Sequence, residues 1–367
     1  MWLNASGSRR ISPKRTKRTE CKQPDWPITA AGLAGQRGGY GGGMRAVICR
    51  EAGGPEVLEV REVPSPAPAD GDVVIDVVAT AVNRADLMQR AGNYPPPEGA
   101  SDILGLECAG TISAVGDGVT RWQVGDLVCA LLAGGGYAEQ VVVAAGHVLP
   151  VPAGVDVSEA AALPEAAATV WSHVYLVAHL QPGALLLVHG GGGGIGTMTI
   201  RLASALGAQV ACTVGSSRKA ARCRELGAEL AINYREQDFV DEVRRLNSAG
   251  ADVILDNMGA SYLGRNVDAL ASEGRLVVIG LQGGAHGEID LRALLSKRAA
   301  VIATALRSRP ADDKVAIISS VEDHVWPLIA DGRVKPIVHT AFPLEQAQRA
   351  HEFVEASSHI GKVLLTV

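Results

Sequence analysis

A run of five glycines, Gly190–Gly194, follows a short apolar segment and leads into a helical pattern. The segment 185–188 predicts a buried strand, and in 195–206 apolar residues recur at spacings of three and four, as they do in helices. The loop matches the G-x-G-x-x-G pattern at Gly191, Gly193 and Gly196. Such glycines let the backbone approach a pyrophosphate, and the helix amino end supplies free N–H groups. A flexible linker is the alternative, but apolar structure on both sides argues against it, so we predict a dinucleotide site.

Two kinds of pattern divide the chain into a β-rich first part and an alternating second part. The first part has strand patterns around the turn Gly53–Pro55 and at 73–82, 107–115, 127–132 and 138–143, with a helical pattern at 83–90. The second part has strand patterns at 209–214, 231–232, 253–255 and 275–279 and helical patterns at 218–226, 239–246 and 263–270. Such alternation predicts an α/β fold with a doubly wound parallel sheet. A helical pattern at 312–330 and a strand pattern at 362–367 follow.

The first 43 residues differ from the rest in charge. They contain eight Lys and Arg and two acidic residues, a net charge of +6 that leaves −11 for the remainder. A targeting or nucleic-acid arm is one interpretation, and a disordered extension before a start at Met44 is the one we favour. The whole-chain net charge of −5 argues against general nucleic-acid affinity.

The end of the second strand of the alternating part distinguishes between NAD and NADP. An acidic residue about 20 positions after the glycine loop is typical of sites that bind the ribose 2′-hydroxyl of NAD. Here the segment Ser216–Lys219 has two hydroxyls and two cations and no acid. These groups suit a 2′-phosphate, although Arg218 and Lys219 could also be ordinary residues at the start of a helix. We predict NADPH as the cofactor.

Several stretches of the chain resemble the medium-chain dehydrogenase/reductase superfamily, and within it the zinc-independent quinone oxidoreductases. They are AVNRADLMQRAGNYPPP (81–97), ILGLECAGTISAVG (103–116), ALPEAAATVW (162–171), HGGGGGIGTMTIRLA (189–203), INY (232–234), TALRSR (304–309) and HIGKVLL (359–365). The resemblance implies a GroES-like, β-rich catalytic domain that is split around a Rossmann cofactor domain. We expect an extension at 1–43, the catalytic domain at 44–166 and 310–367, and the cofactor domain at 167–309.

The resemblance also bears on metal binding. Zinc-using members of the superfamily have a catalytic Cys where this chain has Asn83, and a His where it has Leu106. An amide and an aliphatic side chain cannot replace a thiolate and an imidazole at zinc. The four-cysteine loop that binds structural zinc is missing as well. We therefore expect no metal, and we expect Glu107 to be a structural hydrogen-bonding residue.

A quinone accepts hydride readily, because the product anion is delocalised into an aromatic ring. Hydrogen-bond donors and a positioned nicotinamide should then suffice without a Lewis acid. Tyr94, on a loop stiffened by Pro95–Pro97, is the best donor candidate, although it could be only a packed loop aromatic. Asn83 could bind a quinone oxygen or the cofactor.

The resemblance assigns further residues to the cofactor. Thr169 should contact the nicotinamide carboxamide, and His359 replaces a family Asn. Lys219 and Tyr234 should hold the 2′-phosphate. The nicotinamide side should be lined by Gly280, Leu281, Leu306 and Arg307. The full predicted set of cofactor residues is Thr169, Gly191, Gly193, Gly194, Ile195, Gly196, Ser216, Ser217, Lys219, Tyr234, Gly280, Leu281, Leu306, Arg307 and His359.

The resemblance implies an NADPH:quinone oxidoreductase that forms a homodimer through the cofactor domain. An enone or enoyl reductase of the same fold and a non-catalytic, crystallin-like NADPH-binding protein are alternatives. No apolar run approaches the ~20 residues that cross a bilayer. The six cysteines include no C-x-x-C pair, so we expect reduced thiols in a cytoplasmic protein.

We predict that residues 1–43 are dispensable, because the segment is polar and glycine-rich and the family pattern begins at Met44. A chain that starts at Met44 should keep the melting temperature and turnover of the full chain. Both can be measured by calorimetry and by cofactor oxidation, and a clear drop in either would show that the segment packs on the enzyme.

Overall fold

The computed structural model describes residues 42–367. Predictions for the first 41 residues lie outside that range. The described chain begins with an antiparallel hairpin of β1 (Gly43–Cys49) and β2 (Leu58–Pro64), which confirms the turn predicted around Gly53–Pro55.

A mixed seven-stranded sheet forms most of the amino-terminal part. The elements up to residue 170 are β3 (Asp72–Val82), α1 (Arg84–Arg90), β4 (Glu107–Val115), β5 (Leu127–Leu131), β6 (Gln140–Ala144), β7 (Val148–Pro150), α2 (Val157–Ala160) and α3 (Pro164–Val170). Strand β3 is the longest, at 11 residues, and pairs antiparallel with β4 and β6. Helix α3 continues as a π-helical segment, Trp171–Val177.

The alternating part of the sequence forms a second, six-stranded sheet. Its elements are β8 (Leu185–His189), α4 (Gly194–Ala205), β9 (Gln209–Val214), α5 (Ser217–Glu225), β10 (Leu230–Asn233), α6 (Phe239–Leu246), β11 (Ala251–Asp256), α7 (Leu263–Ala269), β12 (Leu270–Val278), α8 (Leu291–Lys297) and β13 (Ala300–Ala303). All neighbouring strands are parallel, in the order β10-β9-β8-β11-β12-β13. This is the doubly wound order of a dinucleotide-binding fold, and the predicted fold class is confirmed.

The carboxy-terminal part returns to the first sheet. It contains α9 (Ala311–His324), α10 (Trp326–Ala330), β14 (Val338–Pro343), α11 (Ala347–Glu355) and β15 (Lys362–Thr366). Strand β15 pairs antiparallel with β3 and parallel with β14. The last strand of the chain therefore lies beside the strand that precedes Asn83. The predicted domain boundaries stay predictions.

The structure corrects several details of the predicted elements. The helical pattern at 312–330 forms two helices that separate at Val325, because Pro327 has no N–H for a continuous helix and sits in the first turn of α10. The strand predicted at 275–279 begins earlier, at Leu270. The elements that the sequence patterns missed are β7, α2, α3, α8, β13, β14 and α11. No helix within residues 42–367 is long and apolar enough to cross a bilayer.

A buried polar network ties the returning tail to the first helix. The Tyr137 hydroxyl lies 3.1 Å from Nε2 of His351 and 3.4 Å from Oδ2 of Asp86. Nη1 of Arg90 lies 3.1 Å from the other ring nitrogen of His351, and Arg90 also forms an ion pair with Glu355. Since α1 carries Asp86 and Arg90 while α11 carries His351 and Glu355, these bonds hold the two helices together.

The turn from β8 into α4 is close-packed because of its glycines. A methyl group at Gly191 would lie 2.7 Å from Sγ of Cys212, and one at Gly196 would lie 2.6 Å from Cα of Gly191. The first turn of α4 therefore presses directly on the loop before it. Only glycine at these positions allows the helix and the loop to lie so close together. The amino end of α4 therefore lies directly against the loop.

We predict that Gly196→Ala lowers the free energy of unfolding by about 1–3 kcal/mol, the usual cost of overpacking, because backbone rather than a flexible side chain blocks the new methyl group. Chemical denaturation measures the change. Gly264→Ala in α7 is the matched control, since a methyl group there meets nothing within 4 Å. Equal stability of the two variants would mean that the loop relaxes around the methyl group.

Candidate cofactor and catalytic site

The glycine loop lies under the carboxy-terminal tail. Gly193 precedes the first turn of α4, and the N–H of Gly361 donates to the Gly192 carbonyl at 2.9 Å. A methyl group at Gly194 would overlap the Lys362 side chain. The predicted phosphate loop is thus bordered on one side by residues of the other sheet, and Lys362 passes the amino end of α4.

The predicted 2′-phosphate residues come together at the carboxyl end of β9. Ser216 caps α5 by accepting the N–H of Lys219 at 3.3 Å, and Ser217 is exposed. Tyr234 is 45% exposed, and its hydroxyl would lie 2.7 Å from a methyl group at Gly215. The Lys219 ammonium donates to the Ser357 carbonyl at 2.7 Å. Ser216, Lys219 and Tyr234 therefore lie close to one another beside Gly215.

His359 lies next to this group, in the tail. Burial, with the charge of Lys219, lowers the pKa of His359 to about 4, so the imidazole is neutral. Its Nδ1 is buried and has no hydrogen-bond partner in residues 42–367. A neutral ring with one free nitrogen can hydrogen-bond as the replaced family Asn would, so the position remains able to contact a ligand.

A buried ion pair lies where the resemblance places the zinc of other members. Lys362 pairs with Glu107, and its Nζ also donates to Oδ1 of Asn83 at 2.6 Å. The Asn83 amide donates to Oε1 of Glu107 at 2.9 Å, and the N–H of Glu165 donates to the other oxygen at 2.9 Å. We call Asn83, Glu107, Glu165 and Lys362 the Glu107 cluster. Glu107 is fully buried and acts as the structural hydrogen-bonding residue expected.

The two N–H groups of the Asn83 amide are both used within the protein. One donates to Glu107 and the other to the Ala81 carbonyl at 3.2 Å. The Asn83 backbone N–H donates to Oδ2 of Asp86 at 2.7 Å. Asn83 therefore has no amide donor left for a substrate oxygen, and its contacts fit the positioning of Glu107 and Lys362. Direct contact with the substrate stays a prediction that this arrangement does not favour.

Tyr94 lies beside Arg307. The guanidinium carbon is 5.4 Å from the centre of the phenol ring, and Arg307 donates to the Ala133 carbonyl and to Gln89 Oε1, both at 2.8 Å. Nη1 of Arg307 is buried and has no partner in the described chain. Burial, with the charge of Glu165, raises the pKa of Tyr94, so the phenol stays protonated. Two donors, a phenol and a free guanidinium N–H, are thus adjacent.

The remaining predicted residues differ in burial and contacts. Thr169 is buried on α3 and donates from its hydroxyl to Oε1 of Glu165 at 3.4 Å. Leu306 is buried, while Leu281 is half-exposed. A methyl group at Gly280 would lie 3.0 Å from the Asn257 carbonyl oxygen. The sequence thus predicted residues on the loops that follow β8, β9, β10, β12 and β13, at one edge of the parallel sheet.

Three residues with polar side chains at the site were missed: Glu165, Asn257 and Lys362. Oδ1 of Asn257 is buried without a partner in residues 42–367. Glu165 and Lys362 are single charged residues in the apolar stretches ALPEAAATVW and HIGKVLL. Charged side chains are almost never buried without a partner, so these two positions carried a signal that sequence reasoning could have used.

A nicotinamide dinucleotide fits the residues present. The glycine loop leaves backbone where a Cβ would obstruct, and Asn257, Arg307 and His359 each have a buried polar atom without a partner in residues 42–367. For metals, no group of three His, Cys, Asp or Glu side chains suited to an ion occurs within residues 42–367.

A separate cavity of about 780 Å³ lies behind the Tyr94 loop. Pro95 and Pro96 line it, together with Gln89 and Ala133, the two residues that bind Arg307. The glycine loop and Thr169 are not among its lining residues. The cavity is therefore next to Tyr94 and Arg307 and does not extend to the glycine loop.

Comparisons with known proteins identify the two domains. The model of the alcohol dehydrogenase GroES-like domain matches residues 69–153, and that of the zinc-binding dehydrogenase domain matches 194–320. The quinone oxidoreductase of Rattus norvegicus is 32% identical over 326 residues, which cover 88% of this chain and 97% of that protein. Quinone oxidoreductase 1 of Escherichia coli K12 is 32% identical over 85% of this chain and 96% of its own length.

Solved structures give the same result. The Escherichia coli quinone oxidoreductase complexed with NADPH has a TM-score of 0.78 and 31% identity, over 88% of this chain and all of the other. The CurK enoyl reductase also has a TM-score of 0.78, at 26% identity over 88% of this chain and 99% of that one. The predicted NADPH cofactor agrees with the first of these structures. From its domain matches and relatives, the chain belongs to the medium-chain dehydrogenase/reductase family of nicotinamide-dependent oxidoreductases.

Proposed function

We propose that the protein is an NADPH-dependent quinone oxidoreductase that works without a metal. The observation that carries the proposal is the pairing of Tyr94 and Arg307, two hydrogen-bond donors that lie side by side. A quinone gains negative charge on oxygen as it is reduced, and preorganised donors stabilise such charge. The identity of about 30% to quinone oxidoreductases over most of the chain supports the same assignment.

The chain's own residues would divide the work as follows. The bound cofactor supplies a hydride from its nicotinamide ring. Thr169, Leu306 and the glycine loop orient that cofactor, and Ser216, Lys219 and Tyr234 bind its 2′-phosphate. The Tyr94 hydroxyl and the free N–H of Arg307 donate to the oxygen that becomes negative. Asn83 and Leu106 stand where zinc ligands would be, and the Glu107 cluster fills that space with an internal ion pair.

An enone or enoyl reductase is the second candidate, and the CurK enoyl reductase neighbour favours it. Reduction of a conjugated C=C bond also places negative charge on a carbonyl oxygen, so the same donors would serve.

The predicted homodimer stays a prediction. A surface for a second copy of the chain is available at the edge of the parallel sheet. Strand β13 forms that edge, and the adjacent Leu295 is 77% exposed.

NADPH oxidation against matched panels of quinones and enals tests the proposal. We expect turnover to be faster with quinones, and unchanged after dialysis against a strong chelator. Faster turnover with enals would support the second candidate. Stoichiometric zinc whose removal abolishes activity would overturn the metal-free part, and tight NADPH binding without turnover on either panel would indicate a non-catalytic protein.

We predict that Lys219→Ala weakens NADPH binding by about 1–3 kcal/mol, the cost of one charge-assisted contact, and weakens NADH binding much less. Fluorescence titration of both cofactors measures the difference. Arg222→Ala is the matched control, because Arg222 is an exposed cation of the same helix that pairs with Glu225. Equal losses for NADPH and NADH would contradict the 2′-phosphate assignment.

We predict that Tyr94→Phe lowers kcat while NADPH binding is kept, because the hydroxyl matters most as charge grows on the substrate oxygen. A ten- to hundredfold loss corresponds to roughly 1.4–2.8 kcal/mol, reasonable for one such hydrogen bond. The loss should be smaller for strongly electrophilic quinones. Tyr175→Phe is the control, since it removes a buried hydroxyl with no partner in the described chain. If Tyr94→Phe kept wild-type rates across a graded series of quinones, Tyr94 would only line the pocket and would not donate to the substrate.

A further inference from the structure

Three carboxyl groups, those of Asp86, Glu107 and Glu165, lie near Asn83 in the proposed catalytic site. Two of them accept hydrogen bonds from the protein on both oxygens. Glu107 accepts from Lys362 and Asn83 on one oxygen and from the Glu165 N–H on the other. Asp86 accepts the Asn83 N–H at 2.7 Å on one oxygen and the Gly105 N–H at 3.0 Å on the other. Both oxygens of each carboxyl group are therefore occupied by hydrogen bonds from the protein, which leaves neither group available to a substrate.

Glu165 is different from the other two. Its side chain accepts one long hydrogen bond, 3.4 Å from the Thr169 hydroxyl, and its second oxygen accepts none from residues 42–367. The residue is partly exposed, while Pro164 and Ala166 on either side are buried. The carboxyl group is therefore the one acid of the three with an oxygen free for a ligand or for water.

No cation in the described chain pairs with Glu165. Lys362 is paired with Glu107, the Arg307 guanidinium is bound to Ala133 and Gln89, and Lys314 donates to the Arg307 carbonyl at 3.2 Å. Burial raises the pKa of Glu165 to about 8, and the charge of Glu107 acts in the same direction. Lys362 opposes this shift and Asp86 adds to it. Tyr94, Arg307 and Lys314 also face Glu165, and the group holds a proton at neutral pH.

We propose that Glu165 is the acid that protonates the reduced substrate, an inference that rests on the proposed quinone reductase function. A quinone that has accepted a hydride, with its two electrons, is a hydroquinone monoanion that needs one proton. The O–H bond of the Glu165 carboxylic acid breaks and an O–H bond forms on the hydroquinone oxygen. Glu165 is left as a carboxylate, and because it is partly exposed it recovers a proton from water before the next turnover.

The nearby histidines are poor alternatives for this step. Burial lowers the pKa of His173 and of His189 to about 4, so neither carries an extra proton at neutral pH. His189 is also held between Thr213 at 3.0 Å and Asn266 at 2.7 Å. Tyr94 has a raised pKa and serves as a hydrogen-bond donor rather than as a source of protons.

The test compares the pH dependence of quinone turnover in wild type, Glu165→Gln and Glu165→Asp. Wild-type kcat should fall above about pH 8, as Glu165 loses its proton. Glu165→Gln should be at least tenfold slower at pH 7, without that fall and with a smaller solvent deuterium isotope effect, and Glu165→Asp should recover part of the rate. Glu159→Gln, at an exposed position nearby, is the control and should match wild type.

A second measurement needs neither cofactor nor turnover. The folded protein keeps the Glu165 proton up to about pH 8, whereas an unfolded glutamate loses it near 4.5. The folded state therefore binds more protons in this window, and its stability falls as pH rises. The melting temperature of wild type relative to Glu165→Gln should fall from pH 5 to pH 8 and then level off.

The outcomes separate this inference from the proposed function. A constant difference in melting temperature, or identical pH profiles of kcat in wild type and Glu165→Gln, would overturn the role of Glu165 while leaving quinone reduction intact. A wild-type enzyme that reduces no quinone would overturn the proposed function and this protonation step together, even if the melting experiment showed that Glu165 titrates near pH 8.

Discussion

The buried ion pair between Lys362 and Glu107 is the interaction on which the site depends. Two charges removed from water are costly, and their attraction offsets that cost only with good geometry and further hydrogen bonds. Here Asn83 and the Glu165 N–H supply those bonds. Because Glu107 begins β4 and Lys362 begins β15, the pair also fixes the last strand of the chain against the sheet formed near its start.

The tail that carries Lys362 contacts in turn the start of α5, the glycine loop and the Glu107 cluster. Arg218 and Lys219 bind the carbonyls of Ser358 and Ser357, both at 2.7 Å, and Gly361 binds the glycine loop. Lys362 then pairs with Glu107. A short segment of the tail, residues 357–362, therefore connects the predicted 2′-phosphate residues to the Glu107 cluster.

Sequence patterns predicted the cofactor part well because its signals are local. The strand, glycine loop and helix around Gly191 are contiguous, and periodicity gave Gln209–Val214 and Phe239–Leu246 with their observed bounds. Edge elements were missed: Ala300–Ala303 is four residues long, and His339 and Thr340 interrupt the apolar pattern of Val338–Pro343. Such strands depend on their neighbours more than on their own residues.

The Glu107 cluster could not be predicted in the same way. Lys362 and Glu107 are 255 residues apart, and no local pattern states which carboxylate a lysine will join. The pairing of Lys362 with Glu107 decides the net charge of the Glu107 cluster. With Lys362 paired to Glu107, an ionised Glu165 would add an unpaired negative charge close to the position proposed for the substrate oxygen, and repulsion between charges at short range in a site of low polarity is strong. In the proposed mechanism a protonated Glu165 removes that repulsion, and Tyr94 and Arg307 then donate to the substrate oxygen without an opposing charge.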